Sequence, residues 1–132
     1  MGARQSVHEE VTVLGLIAAS RVADATPVVS TALDLSAYHH HRFLLIVAAF
    51  ETNTGNTGGT WTVTESATSG GSYTAATLGG TLAATPASAG NDVQKVSIIP
   101  NAAKPFVKVT YTGADTNAEV DVTASLVVLP LT

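Results

Sequence analysis

Phe43-Leu-Leu-Ile-Val-Ala-Ala-Phe50 is an unbroken apolar run, and Thr60-Trp-Thr-Val-Thr-Glu65 follows it closely. The first has strand length, carries Val, Ile and Phe, and lacks a helical alternation with polar residues. Such a run reads as a strand covered on both faces. The second alternates: Trp61, Val63 and Glu65 point one way, and Thr60, Thr62 and Thr64 the other. Between them, Glu51 to Gly59 is rich in Gly, Asn and Thr, residues that suit turns. The two runs are therefore expected to form a long-tipped hairpin at the centre of the fold.

Outward from that pair, β-type segments recur. Val11 to Ile17 reads as a first strand, because Gly15 and the Val/Thr content weigh against a helix through Ala18 and Ala19. Asp24 to Pro27 is a turn and Val28 to Leu33 a second strand. Asp34-Leu-Ser-Ala-Tyr38 is a turn or single helical turn capped by Asp34. After the pair, Ser66 to Ser72 signals a turn and Tyr73 to Leu78 a short strand. Gly79 to Gly90 is a loop that Leu78 and Leu82 can anchor. Asp92–Ile99, Pro105–Thr112 and Glu119–Leu129 complete the set, the last with Val120, Val122, Ala124, Leu126 and Val128 inward. About seven or eight strands at roughly 8–12-residue spacing define an all-β class, an antiparallel, jelly-roll-like β-sandwich. Residues 1–10 have no periodicity and read as an extended N-terminal arm, and residues 11–132 as a single β-sandwich domain.

Composition narrows the function. The chain of 132 residues has no cysteine, so neither a disulfide framework nor a thiolate metal site exists. Charged residues make up 12%, against about 25% in an average soluble chain. A surface so poor in charge suits packing against protein, since little charge must be desolvated. The net charge of −4 argues against nucleic acid as a partner. The apolar runs fall short of the ~20 residues of a membrane-spanning helix, so no membrane partner is expected. Met1 to Glu10 lacks the apolar stretch of a signal peptide.

In sequence order the chain resembles a family of small β-sandwich virion proteins of tailed bacteriophages, the head decoration or minor structural proteins. Four features carry the resemblance. Asp34-Leu-Ser-Ala-Tyr38 precedes the apolar strand. A Gly/Thr-rich tip, Gly58 to Trp61, leads into Val63-Thr-Glu-Ser66. Gly71-Ser-Tyr73 forms the next turn. Asn91-Asp-Val-Gln-Lys-Val96 is followed by Phe106-Val-Lys-Val109. The match covers roughly Leu33 to Leu129. The chain departs from the family pattern where Ser66-Ala-Thr-Ser-Gly-Gly71 replaces an acidic turn, and where Ala103-Lys-Pro105 lacks a basic pair. The resemblance implies a non-enzymatic protein on the outer surface of the phage head, cementing the icosahedral capsid. It also implies contact with the major capsid protein and assembly as a homotrimer. A carbohydrate- or receptor-binding sandwich of a tail or fibre is the alternative, with Trp61 as its sugar platform.

Candidate sites are few. His39 and His41 share a face on a strand and could chelate a metal, but a third ligand would have to come from His8 or a distant carboxylate. A polar strand start beside a subunit contact is the simpler reading, and no metal, cofactor or catalytic residue is expected. Glu65 reads as a strand-end carboxylate bonded to backbone N–H groups or paired with Lys95 or Arg42, since no second carboxylate completes an acid/base pair. Asn53 to Gly59 lacks the Lys-Ser/Thr of a phosphate loop. Arg4, Gln5, Val7 and His8 of the arm, with His39 and His41, are the expected capsid or subunit contacts. The arm would add to a neighbour's sheet edge by main-chain bonds.

Overall fold

The structure, a computed structural model, describes residues 11–22, 25–38, 41–51, 57–85, 91–114 and 120–130. The apolar run lies inside β4 (His41–Glu51), flanked by β9 (Val120–Pro130) and β7 (Asn91–Ile98). Beyond β9 lies β1 (Thr12–Val22), so the first sheet runs β1-β9-β4-β7. Period-two geometry sends Phe43, Leu45, Val47 and Ala49 into the core, opposite Val128, Leu126, Ala124 and Val122 of β9. All eight are buried. Removing each large one from water contributes about 1.5–3 kcal/mol.

The second sheet is built from β2 (Val28–Val29), β8 (Phe106–Gly113), β5 (Gly59–Ser66) and β6 (Thr74–Ala75). A further short strand, β3 (Leu33–Asp34), also pairs with β8. This sheet turns Trp61, Val63 and Glu65 inward with Val107, Val109 and Tyr111. Its outer face carries Thr60 opposite Thr112 and Thr62 opposite Thr110. Hydroxyl-bearing pairs of this kind keep a solvated face β-prone without charge.

Every pairing is antiparallel and the pairs nest. β1 pairs with β9, β2 with β8, β4 with β7 and β5 with β6. A chain whose first strand meets its last, and whose inner strands meet in turn, is one long hairpin rolled into two sheets. That is the jelly roll. The expected all-β antiparallel sandwich is therefore the observed architecture, with nine strands among the described residues because two-residue strands count.

The expected central hairpin is wrong. β4 and β5 lie in different sheets, so they are not hairpin partners. A Gly/Asn/Thr-rich connection of that length can close a hairpin or cross the ~10 Å between packed sheets. The choice was made by the last third of the chain. β9 takes one edge of β4 while β8 takes β5, and a strand has only two edges.

Other segments differ in extent. β1 continues through Ala18 and Ala19 as strand, with register shifts between Gly15 and Ile17 and between Ile17 and Ser20. The expected strand Val28–Leu33 is broken. Ser30 N–H donates to Val109 O at 2.9 Å, while Ser30 Oγ accepts from Val109 N at 2.9 Å. A side chain competing with the ladder in this way splits the strand into β2 and β3. Asp34 caps as expected: its Oδ1 accepts the Ser36 N–H at 3.0 Å and opens the 3₁₀ turn Leu35–Tyr38. Leu78 and Leu82 pack on the core as loop anchors.

Candidate interaction surface

Because β4 is central, its outward residues Leu44, Ile46, Ala48 and Phe50 stand in the middle of the first sheet's outer face. Register supplies their neighbours. Leu44 faces Val127, which faces Val13 of β1; Ala48 faces Val93 of β7. Ile46 joins these rows but stands between Ser125 and Lys95, and Ser97, Thr123 and Asn91 share the face, so the apolar residues form a stripe along β4 within a mixed surface. Val13 and Val93 are each 63% exposed and Phe50 is 39% exposed, whereas Ala48 is nearly covered by its neighbours. The run is thus apolar on both faces, and the described residues cover the inner face fully and the outer face only in part. Single exposed apolar residues are ordinary, whereas a contiguous patch marks an interaction site. Charged residues stand at both ends of the face: Arg42 at one end of β4, and at the other Asp121, which lies across from Phe50 and, on its other side, from Arg21 of β1. Lys95 is exposed on β7, across from Ile46.

Both edges of this sheet are guarded. The β1 edge carries the two register shifts, which break the regular row of free backbone groups. The β7 edge is clipped by the segment before it. Leu78 bridges to Ile98, Gly79 N–H donates to Ser97 O at 2.8 Å, and Ile99 N–H donates to Thr77 O at 2.9 Å. Gln94 completes the clip as a peptide mimic: its Oε1 accepts the Ala83 N–H at 2.7 Å and its Nε2 donates to Ala83 O at 3.0 Å.

Of the expected contact residues, Arg4, Gln5, Val7, His8 and His39 lie outside the described residues. His41 starts β4, half-buried, its ring edge-on to Tyr38 with centroids 6.2 Å apart. Among the described residues no three His, Cys, Asp or Glu come together as metal ligands. An open cleft of about 220 Å³ adjoins it, lined by Arg42, Phe43 and the chain from Ser97 to Pro100. Its walls offer no carboxylate or paired nucleophile.

Trp61 is 5% exposed and packs edge-on against Tyr111 at 4.8 Å. It is a core residue, and the sugar platform it could have supplied does not exist. Its indole Nε1 has no hydrogen-bond partner among the described residues. Glu65 is buried on the same face of β5, as the alternation required, but its partner is not the one expected. Asn101 Nδ2 donates to Glu65 Oε1 at 3.3 Å, while Lys95 lies on the outer face of the other sheet and Arg42 donates to Pro130 O at 3.4 Å. The outer apolar face was partly visible in the sequence, since Leu44, Ile46 and Ala48 occupy positions where a one-sided strand carries polar residues. Val13 and Val93 join it only through register.

In comparisons with known proteins the chain matches no protein-family model, and no curated protein shows significant similarity to it.

Proposed function

We propose that this protein is a non-enzymatic structural component of a phage virion, laid on the outside of the icosahedral head, where it reinforces contacts between capsid subunits. The observation that carries the reading is the contrast between the two outer faces of the jelly roll. One is a threonine-rich solvated face; the other presents Val13, Leu44, Ile46, Phe50 and Val93 to whatever packs there. Jelly rolls serve as viral capsid and lectin domains, although fold alone does not assign function. The resemblance of the segment from Leu33 to Leu129 supports the virion among these, with the major capsid protein as partner.

The mechanism is interfacial. A rigid sandwich with few charges to desolvate lies across a junction, and copies that engage several subunits at once gain through effective concentration. Binding the assembled lattice and not its separate subunits stabilises the lattice by mass action. The test is addition of purified protein to heads that lack it, followed by sedimentation. Saturable binding at a fixed number of copies per head supports the reading. Absence of binding to heads, with binding to host-surface glycans, would transfer the protein to a tail or fibre.

A further inference from the structure

We infer that the outer face of the β1-β9-β4-β7 sheet is built for an acidic protein surface. The partner patch offers two separate carboxylates, one to Arg42 and one to Lys95, and an apolar side chain that lies along Leu44 and Ile46. The inference rests on the head-decoration reading and adds to it the chemistry of the capsid contact.

The sign of the charge carries it. The chain has 10 Asp and Glu against 6 Lys and Arg. On this outer face, however, the one carboxylate among the described residues is that of Asp121, and Asp121 stands opposite Arg21. Arg42 and Lys95 are exposed, and neither has a carboxylate within ion-pair distance among the described residues. Arg42 donates to a neutral acceptor, Pro130 O, at 3.4 Å. The cross-strand neighbour of Arg42 on β9 is Leu129, and that of Lys95 on β4 is Ile46. Opposite charges set across from each other are the stabilising arrangement on a sheet. A chain with acids in excess has instead left two cations beside apolar residues here.

Spacing defines the partner further. Arg42 and Ile46 are four residues apart on one face of β4, and Lys95 lies one strand beyond Ile46. The two charges are therefore about 14 Å apart. That exceeds the screening length of about 8 Å at physiological salt, so one anion does not serve both. Leu44 lies between them, and its row continues through Val127 to Val13. Ser97, Ser125 and Thr123 surround this stripe with hydroxyls. An apolar centre with polar groups and cations around it has the composition of a non-obligate protein interface. A second copy of the face would bring the same cations against Arg42 and Lys95. Nucleic acid and anionic lipid call for dense basic clusters, which two charges this far apart do not make.

The test is sedimentation of heads that lack the protein with the natural chain, Lys95→Glu, Arg42→Gln and Lys108→Glu, at low and at physiological salt. Lys108 lies on the outer face of the other sheet, 4.4 Å from the centre of the Tyr73 ring, so Lys108→Glu changes the net charge as Lys95→Glu does but on the opposite side. Lys95→Glu should weaken attachment at least about tenfold, because it sets like charges together. Arg42→Gln should weaken it less, since it adds no repulsion, and both should flatten the salt dependence. Lys108→Glu should bind as the natural chain does. Thermal unfolding followed by circular dichroism checks that each variant is folded. If the natural chain binds and either Lys95→Glu or Arg42→Gln binds equally well, the inference is overturned and the head-decoration reading stands. An equal loss in Lys108→Glu would trace the effect to net charge and overturn it too. A natural chain that does not bind heads would overturn both.

Discussion

Tyr111 Oη and Thr85 Oγ1 lie 2.7 Å apart in the interior, and Thr85 ties a loop to two strands at once. Its Oγ1 also accepts the Gly59 N–H at 2.8 Å, and its own N–H donates to Gly59 O at 2.9 Å. The segment from Leu78 to Thr85 is thus fastened at both ends, by Leu78 on the β7 edge and by Thr85 at the start of β5. Gly59 is required there because a Cβ would collide with the Tyr111 hydroxyl and with Thr112 O.

Thr85→Val should destabilise more than Tyr111→Phe. The first removes the side-chain acceptor of the buried Gly59 N–H, at a cost of about 1–3 kcal/mol. The second leaves Thr85 bonded to Gly59 and should cost about 0.5–1.5 kcal/mol. Urea unfolding of both variants measures the order; equal losses would mean that the hydroxyl pair does not fasten the loop.

The two faces of the first sheet should respond differently to substitution. Leu45 is fully buried, so Leu45→Ala is expected to lose about 2–5 kcal/mol. Val93→Glu, on the outer face, should change the stability of the single chain by no more than about 0.5 kcal/mol. Chemical denaturation of the two variants beside the natural chain measures both effects.

Glu65 is expected to behave as a structural group. Asn101→Ala removes the amide that donates to its buried carboxylate and should cost about 1–3 kcal/mol. Glu65→Gln keeps the shape and most bonding capacity, and should leave attachment to heads unchanged. Loss of head binding in Glu65→Gln, with an intact thermal transition, would give the carboxylate a role the fold does not require.

Much of this architecture was legible in the sequence, and the misreadings have a common cause. Alternation placed Trp61, Val63 and Glu65 inward and the β9 residues Val120 to Val128 correctly, because burial on one face of a strand is a local property. Pairing is not local. Phe43–Phe50 and Thr60–Glu65 looked like hairpin partners because they are neighbours in the chain, yet their edges were taken by strands near the C-terminus. The interaction surface shows the same division. Its centre could be read from the two-sided apolar run. Val13 and Val93, its most exposed parts, lie far from that run in sequence and join it only through β1-β9 and β4-β7 register. The break at Ser30 was hidden because a serine in a β-type run gives no sign of bonding to the backbone across the sheet.

The arm predicts a separable function. Deleting residues 2 to 9 should alter the stability of the sandwich by no more than about 1 kcal/mol, since the described core begins beyond them. It should weaken attachment to heads if Arg4, Gln5, Val7 and His8 make the contact assigned to them. Thermal unfolding and head sedimentation of the truncated chain measure the two effects separately, and unchanged sedimentation would remove the arm from the contact.

The central claim is that the protein reinforces a phage head, and heat-induced release of DNA tests it most directly. Purified heads with and without the protein are warmed while a DNA-binding dye reports access to the genome. Heads carrying the protein should release their DNA at a higher temperature, and adding it back to heads that lack it should restore that temperature. Coincident release curves, at a protein concentration that saturates the heads, would contradict the account.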